Sequence, residues 1–381
     1  MQGQGPQYSP WYHSHRYGLQ AKMRDMYSND WPTSKDRGAE SPQLGPILSG
    51  LPVLVKQVRR ALGDANKPDG TRRTAIVMVA NEGVMDLLLN FICSARSAGV
   101  DLSSVLVFLG QKKYSALIES MGAQAIYHEY YGEMPNEAAD YYGDSTFGKL
   151  MWLKTTSMYV TYSAGFDVIF QDADLVWLQD PVPALHAAAR DIAFMDDGAR
   201  STRFTPFFVN SGFYYLKRNT RTQYFLEALL KSGPGEISVT HSHQAALTRH
   251  LTEAHHLAEL SVDILDNLQF PSGAMYHNNK TFIKEITSHH RTPIVFHMCW
   301  TSSREDKVKY FKELGMWFLP TADSYNSKAS AALQAECEVP ASMLSWVNVG
   351  RKSEGNRNIR EHCCQLGDYS NKAAGQGASA F

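Results

Sequence analysis

Between Thr74 and Phe170 short apolar runs alternate with longer segments of helical spacing, and no other feature limits the fold of this chain as much. TAIVMVA (74–80) predicts a strand, GVMDLLLNFICSARSAGV a helix, SSVLVFLG a second strand, KKYSALIESMG a second helix and AQAIYH a third strand. FGKLMWLKTTSMYVTYSAG then predicts a longer helix ending at Gly165, followed by a strand over DVIF. Strand–helix–strand units close with right-handed crossovers, so this order predicts an α/β domain around a parallel, doubly wound sheet. Upstream, LPVLVKQVRRAL has helical spacing from about Leu51, and NKPDGTRR reads as a turn. Residues 1–50, rich in Pro, Tyr, His, Ser and Gly, read as an N-terminal arm. Residues 51–320 read as the domain, and 321–381, where periodicity is lost, as a C-terminal appendage with a disordered end.

The 381 residues are 44% hydrophobic, enough to bury a large core. Lys and Arg number 37 against 38 Asp and Glu, so no strong field draws the chain to nucleic acid or to anionic lipid. Cys93, Cys299, Cys337, Cys363 and Cys364 show no paired CxxC spacing for zinc. The chain contains no apolar run of the roughly 18 residues that suggest a membrane span.

The most pointed local feature is AGFDVIFQDADLVWLQDP (164–181), where an apolar run gives way to Asp172-Ala173-Asp174 and then resumes. Asp is poor in strands, and an unpaired buried carboxylate is costly, so the pair needs neutralising. In doubly wound sheets ligands bind beyond the carboxyl ends of the strands, where this pair falls. Residues two apart in extended chain point the same way, so both carboxylates can face one hard cation, Mn2+ or Mg2+. Such ions favour about six ligands, which calls for a further protein ligand. TPIVFHMCW offers His297 at the end of an apolar strand, expected to meet the earlier strand at one edge.

GFDVIFQDADLVWLQDPVP, VMVANEGVMDLLLNFICSARSAG and VNSGFYYLKRNTRTQYFLEALL, all within roughly Thr74–Leu319, resemble the nucleotide-diphospho-sugar transferases of the plant and algal extensin arabinosyltransferase and rhamnogalacturonan xylosyltransferase family. The resemblance implies a single Rossmann-like, glycosyltransferase A-type domain with a mostly parallel central sheet and terminal extensions. It implies retaining transfer of a sugar from a UDP-sugar donor to a glycan or glycoprotein hydroxyl, with Mn2+ or Mg2+, in the Golgi lumen. It maps His297 to a metal ligand and Lys307 or Lys309 to a phosphate contact. Related enzymes usually carry Asp-Gln where this chain has His243-Gln244, which weakens the transfer of a role to Gln244.

A retaining transfer needs a group on the sugar face opposite the leaving group, or a front-face route in which the departing phosphate takes the proton. Candidates are Asp196 and Asp197 in IAFMDDG, Asn210 in FFVNSGFYYL and Gln244. Gly212, two residues past Asn210, would let a sugar approach the backbone. Ala80, Asn81 and Glu82, ending the first strand, are by position where a uracil would lie, and an Asn-Glu-Gly turn is the other reading of them. Trp152 and Trp177 read as core, and Asn279-Lys280-Thr281 is a glycosylation sequon if the chain enters the secretory pathway. Two other readings use the same residues: a metal-dependent phosphohydrolase, and a catalytically silent sugar-nucleotide-binding protein. A cytoplasmic location is the alternative to the Golgi.

Overall fold

Long aliphatic runs become strands buried on both faces, in the order that the alternation predicts. The computed structural model describes residues 44–319, except 132–133, 139–144, 199, 201–203, 241–242 and 302; most of the expected arm and the expected appendage lie outside these residues. Helix α1 (Leu44–Leu62) leads to β1 (Thr74–Ala80), α2 (Met85–Ser97), β2 (Val105–Leu109), α3 (Ser115–Ser120) and β3 (Gln124–Ile126). Then follow α4 (Ser145–Ser163), β4 (Asp167–Gln171), β5 (Leu175–Trp177), α5 (Val182–Ala188), β6 (Ile192–Asp196), β7 (Val209–Leu216) and α6 (Thr220–Thr240). The last elements are α7 (His243–Ala258), β8 (Val262–Ile264), α8 (Gly273–Asn278), α9 (Lys280–Thr287), β9 (Val295–His297) and α10 (Arg304–Glu313).

Seven strands form the main sheet in the order β3-β2-β1-β4-β7-β6-β8. β1 pairs in parallel with β2 and β4, β2 with β3, and β6 with β8, while β7 runs antiparallel between β4 and β6. The sheet is therefore mostly parallel, in a Rossmann-like α/β domain. β1 shows why: Ala75 to Ala80 are all buried, and alternate residues feed two cores. Ile76 and Met78 pack with α2, while Val77 and Val79 pack with residues of α1 and α4. Trp152 and Trp177 are core residues, as expected. Gly165, with φ of 109°, follows α4 in the backbone region that favours glycine, so the helix stops there.

One boundary and one strand pairing differ from the sequence reading. The first helix begins at Leu44, not near Leu51, because Ile47 joins Leu54 and Val58 on one buried stripe, although Gly45, Pro46, Gly50 and Pro52 read locally as breakers. The strand ending at His297 does not join the main sheet. β9 pairs antiparallel with β5 in a separate two-stranded sheet, with Leu175 opposite His297. The apolar run after the Asp pair supplies that partner: Leu175, Val176 and Trp177 are all fully buried.

Candidate cation and nucleotide-sugar site

Two ladders hold the Asp172-Ala173-Asp174 segment at the point where β4 gives out. Asp172 N donates to the Gly212 carbonyl at 2.8 Å, extending the β4–β7 pairing, and Met298 N donates to the Asp174 carbonyl at 2.9 Å, extending the β5–β9 pairing. The segment is thus the hinge between the two sheets, and β9 delivers His297 to it. One ligand atom from each of Asp172, Asp174 and His297 lies within 4.8 Å of the others, and among the described residues this is the only such trio of acidic, His or Cys side chains. Gly212 backs the cluster. A Cβ there would stand 2.3 Å from His297 Cε1, 2.8 Å from Asp172 Oδ2 and 3.0 Å from Asn210 Oδ1, so the space between these groups exists because residue 212 has no side chain. Two carboxylates and an imidazole around such a space fit Mn2+ or Mg2+.

The Asp pair is also neutralised by the protein itself, so a cation is not its sole possible counter-charge. Lys154 Nζ is 2.5 Å from Asp172 Oδ1; Lys307 Nζ is 2.9 Å from Asp174 Oδ2, and His297 Nε2 is 3.3 Å from Asp174 Oδ1. Burial opposes a charge on Asp174, but Lys307 and His297 beside it hold its carboxyl well below the usual range. Burial also opposes a charged His297, yet Cys299 and Asp174 push its imidazole well above its ordinary value. Lys307 is raised as well: burial works against its charge and Asp174 overcomes it. Lys309, by contrast, points to Glu313 at 3.9 Å and is exposed, so of the two lysines considered only Lys307 reaches the cluster.

The two carboxylates of the Asp196-Asp197 pair go separate ways. Asp196 accepts from Arg200 Nη1 and Nη2 at 2.8 Å each and from Gly198 N at 2.9 Å, an arrangement that closes a surface turn. Asp197 is buried and accepts from Asn210 Nδ2 at 2.8 Å, while Asn210 Oδ1 accepts from Gly212 N at 2.8 Å. Gln244, at the start of α7, is tied in through its Oε1, which accepts from Ser211 N at 3.1 Å and Ser211 Oγ at 3.3 Å. Asp197, Asn210, Gly212 and Gln244 thus gather at the start of β7, beside the Asp–Asp–His cluster, whereas Asp196 is engaged elsewhere.

At the end of β1 the side chains do other work than expected. Ala80 and Asn81 are buried, and Asn81 Nδ2 donates to the Pro135 and Glu137 carbonyls at 2.8 and 2.7 Å, pinning that segment over the strand end. Glu82 pairs with Lys113 at 2.6 Å. Nearby a cavity of about 710 Å3 is lined by Gly110, Gln111, Lys112, Lys113, Tyr127, Glu129, Met134 and Asn136. It is an open depression beside the residues expected to face the base.

Sequence reasoning passed over Lys154 and noted His243 only as a departure from the Asp-Gln of related enzymes. Lys154 sits in an apolar helical run; its one signal is a charge inside a helix with no polar face. His243 is fully buried, with neither ring nitrogen hydrogen-bonded, and burial followed by the nearby Lys154 pushes its imidazole down to about 3.

A family model described as nucleotide-diphospho-sugar transferase matches residues 102–311, more than half of the chain, and spans the Asp pair, Asn210, Gln244, His297 and Lys307. The chain belongs to this family. It is 22% identical to the β-arabinofuranosyltransferase RAY1 of Arabidopsis thaliana, over 64% of this chain and 48% of that protein. It is 25% identical to an Arabidopsis UDP-D-xylose:L-fucose α-1,3-D-xylosyltransferase, over 58% of this chain and 61% of the relative. The chain therefore spans about half to three-fifths of the length of these curated relatives. Among solved structures, the glycosyltransferase GlyE of Streptococcus pneumoniae TIGR4 aligns with 82% of this chain and 66% of its own at 12% identity and a TM-score of 0.40.

Proposed function

We propose that this nucleotide-diphospho-sugar transferase family member is a cation-dependent, retaining glycosyltransferase that moves arabinose, xylose or galactose from a UDP-sugar to a hydroxyl of a glycan or glycoprotein. The observation that carries the reading is the convergence of Asp172, Asp174 and His297 on the space left by Gly212, with Lys307 alongside. These three residues would hold Mn2+ or Mg2+, which when bound offsets the charge that develops on a departing diphosphate.

The protein's own groups supply the rest. Lys307 and Lys154 already face the carboxylates, and each can turn to a phosphate oxygen once a cation takes over the carboxylate charge. The Asp197–Asn210 pair presents a polar, buried edge suited to sugar hydroxyls beside the cation position. Packing of Gln244 against Ser211 holds the start of α7 to that edge. The cavity by Gly110 and Lys113 suits the nucleoside end of the donor. In line with the family resemblance, the reading places the protein in the secretory pathway, in the Golgi lumen. Names of both relatives suggest pentose transfer, and one suggests a fucosyl acceptor.

Calorimetric titration with UDP, with and without Mn2+, tests the reading. Tighter binding with the cation is expected, and equal affinity in both conditions would overturn it. A screen of UDP-arabinose, UDP-xylose and UDP-galactose for cation-dependent hydrolysis then identifies the donor.

A further inference from the structure

Three residues beyond His297, the chain makes an arrangement that nothing in the cation chemistry requires. Trp300 has φ of 61°, in the left-handed region where a bulky side chain is strained. The residue is 36% exposed, and it is the only exposed tryptophan among the described residues. Its indole Nε1 donates to the Asp197 carbonyl at 2.8 Å. Backbone strain in a large residue next to a site persists only when the surroundings hold it there. Here they do: Gly273, whose Cβ would stand 1.6 Å from the Cys299 carbonyl, lets the two segments close on one another.

The hydrogen bond decides what Trp300 can offer. With its sole donor committed to Asp197, the ring presents only an apolar π surface to solvent. That surface is anchored to the residue whose carboxylate meets Asn210, and it lies three residues from the histidine of the candidate cation cluster. An amphipathic molecule that is polar at its edges and carries C–H groups on one face fits such a surface, and a pyranose ring has that form. The cavity proposed above for the donor's nucleoside end lies at the end of β2 and is lined by other residues.

We infer that Trp300 is the stacking platform for the acceptor sugar, holding its C–H face at the mouth of the site so that a hydroxyl edge turns toward the donor. The inference rests on the transferase reading above and adds the residue that receives the acceptor. In this role Trp300 sets specificity: an acceptor with an uninterrupted C–H face stacks, and one with an axial hydroxyl on that face does not.

The test measures acceptor contact separately from donor binding. Saturation-transfer NMR would be run on the full chain with Mn2+ and UDP, using the methyl glycosides of L-fucose, D-galactose, L-arabinose and D-xylose as probes. The parent is expected to saturate C–H protons of at least one glycoside. Trp300→Ala is expected to lose that signal and weaken the glycoside by about tenfold, while Trp300→Phe retains part of it. UDP affinity with Mn2+ and the melting temperature are expected to stay near parental values in both variants. A glycoside that binds Trp300→Ala as it binds the parent, or no glycoside bound by the parent, would overturn the platform. So would loss of UDP binding in Trp300→Ala, which would make the ring a structural plug. Failure of the parent to bind UDP counts instead against the transferase reading, and the glycoside spectra, repeated without nucleotide, still judge the platform.

Discussion

Lys154 and Asp172 form a close ion pair, Nζ to Oδ1 at 2.5 Å, between a helix buried on its way through the core and the strand end that the helix delivers. The lysine side chain is only 10% exposed and the aspartate 23%. A cation arriving at Asp172 therefore competes with a charge already in place.

That competition gives the first prediction. Lys154→Met leaves Asp172 without its ammonium partner, at a cost of about 1–3 kcal/mol in cation-free stability. Mn2+ then has no competitor, so the rise in melting temperature on adding Mn2+ is expected to be larger in Lys154→Met than in the parent. Transfer is expected to fall in the same variant, because the phosphates lose a positive partner. Equal Mn2+ shifts in both proteins would show that the ion does not meet Asp172.

Asp174→Asn separates chemistry from folding. Replacing a charged ligand aimed at the leaving diphosphate removes about 3 kcal/mol of transition-state stabilisation, a loss of roughly a hundredfold or more in transfer rate. From the carboxylate pair alone one would expect the cation-free protein to gain stability through relief of repulsion. The cationic neighbours reverse that sign: the neutral amide would leave the buried His297 and the partly buried Lys307 without their anion, so cation-free melting is expected to drop. Transfer assays and cation-free melting curves on the same preparation check both halves.

Gly212→Ala is expected to act on the cation and not on the nucleoside. A methyl group 2.3 Å from His297 Cε1 must push the imidazole or Asp172 aside. The Mn2+-dependent gain in UDP affinity is expected to fall by about tenfold, the size of one displaced ligand at roughly 1.4 kcal/mol. UDP affinity without metal is expected to change little. Calorimetry in both conditions measures the difference.

His243 predicts a pH dependence. In the folded protein its imidazole is pushed down to about 3, against 6.5 for the ordinary group. Between these values the unfolded chain binds a proton that the folded chain does not, so stability falls as pH drops through that window, by about 1.4 kcal/mol per unit. Above about pH 6.5 this contribution is flat. His243→Leu removes the titrating group and an unpartnered buried polar ring, so its acid limb is expected to be shallower when melting is followed from pH 7 to pH 4. An acid limb identical to that of the parent would show that this imidazole does not titrate on unfolding.

The central sheet was legible because parallel strands buried on both faces leave long aliphatic runs, as in β1 and β2, and because crossover helices punctuate them. The Asp pair was legible because its charge interrupts such a run. Lys154 was not, since a lysine in a mostly apolar helix does not say which way it points until the helix is packed. Asn81 was expected to face the base because the segment that takes up its side chain instead, around Pro135, arrives from far along the chain. β5 and β9 were legible as apolar, but three-residue strands carry no sign of their partner, so the antiparallel join that brings His297 to Asp174 could be seen only in three dimensions.

That join also sets an order in time. During synthesis β4 and the Asp pair emerge long before β9, and the pairing of Leu175 with His297 is the most distant in sequence of the strand pairings among the described residues. Until the last strand docks, the carboxylates have Lys154 but neither His297 nor Lys307, so the trio that could grip a cation does not exist on the growing chain. Competence to hold the ion thus arrives with completion of the fold, and a ribosome-bound or C-terminally clipped chain carries the Asp pair without the means to use it.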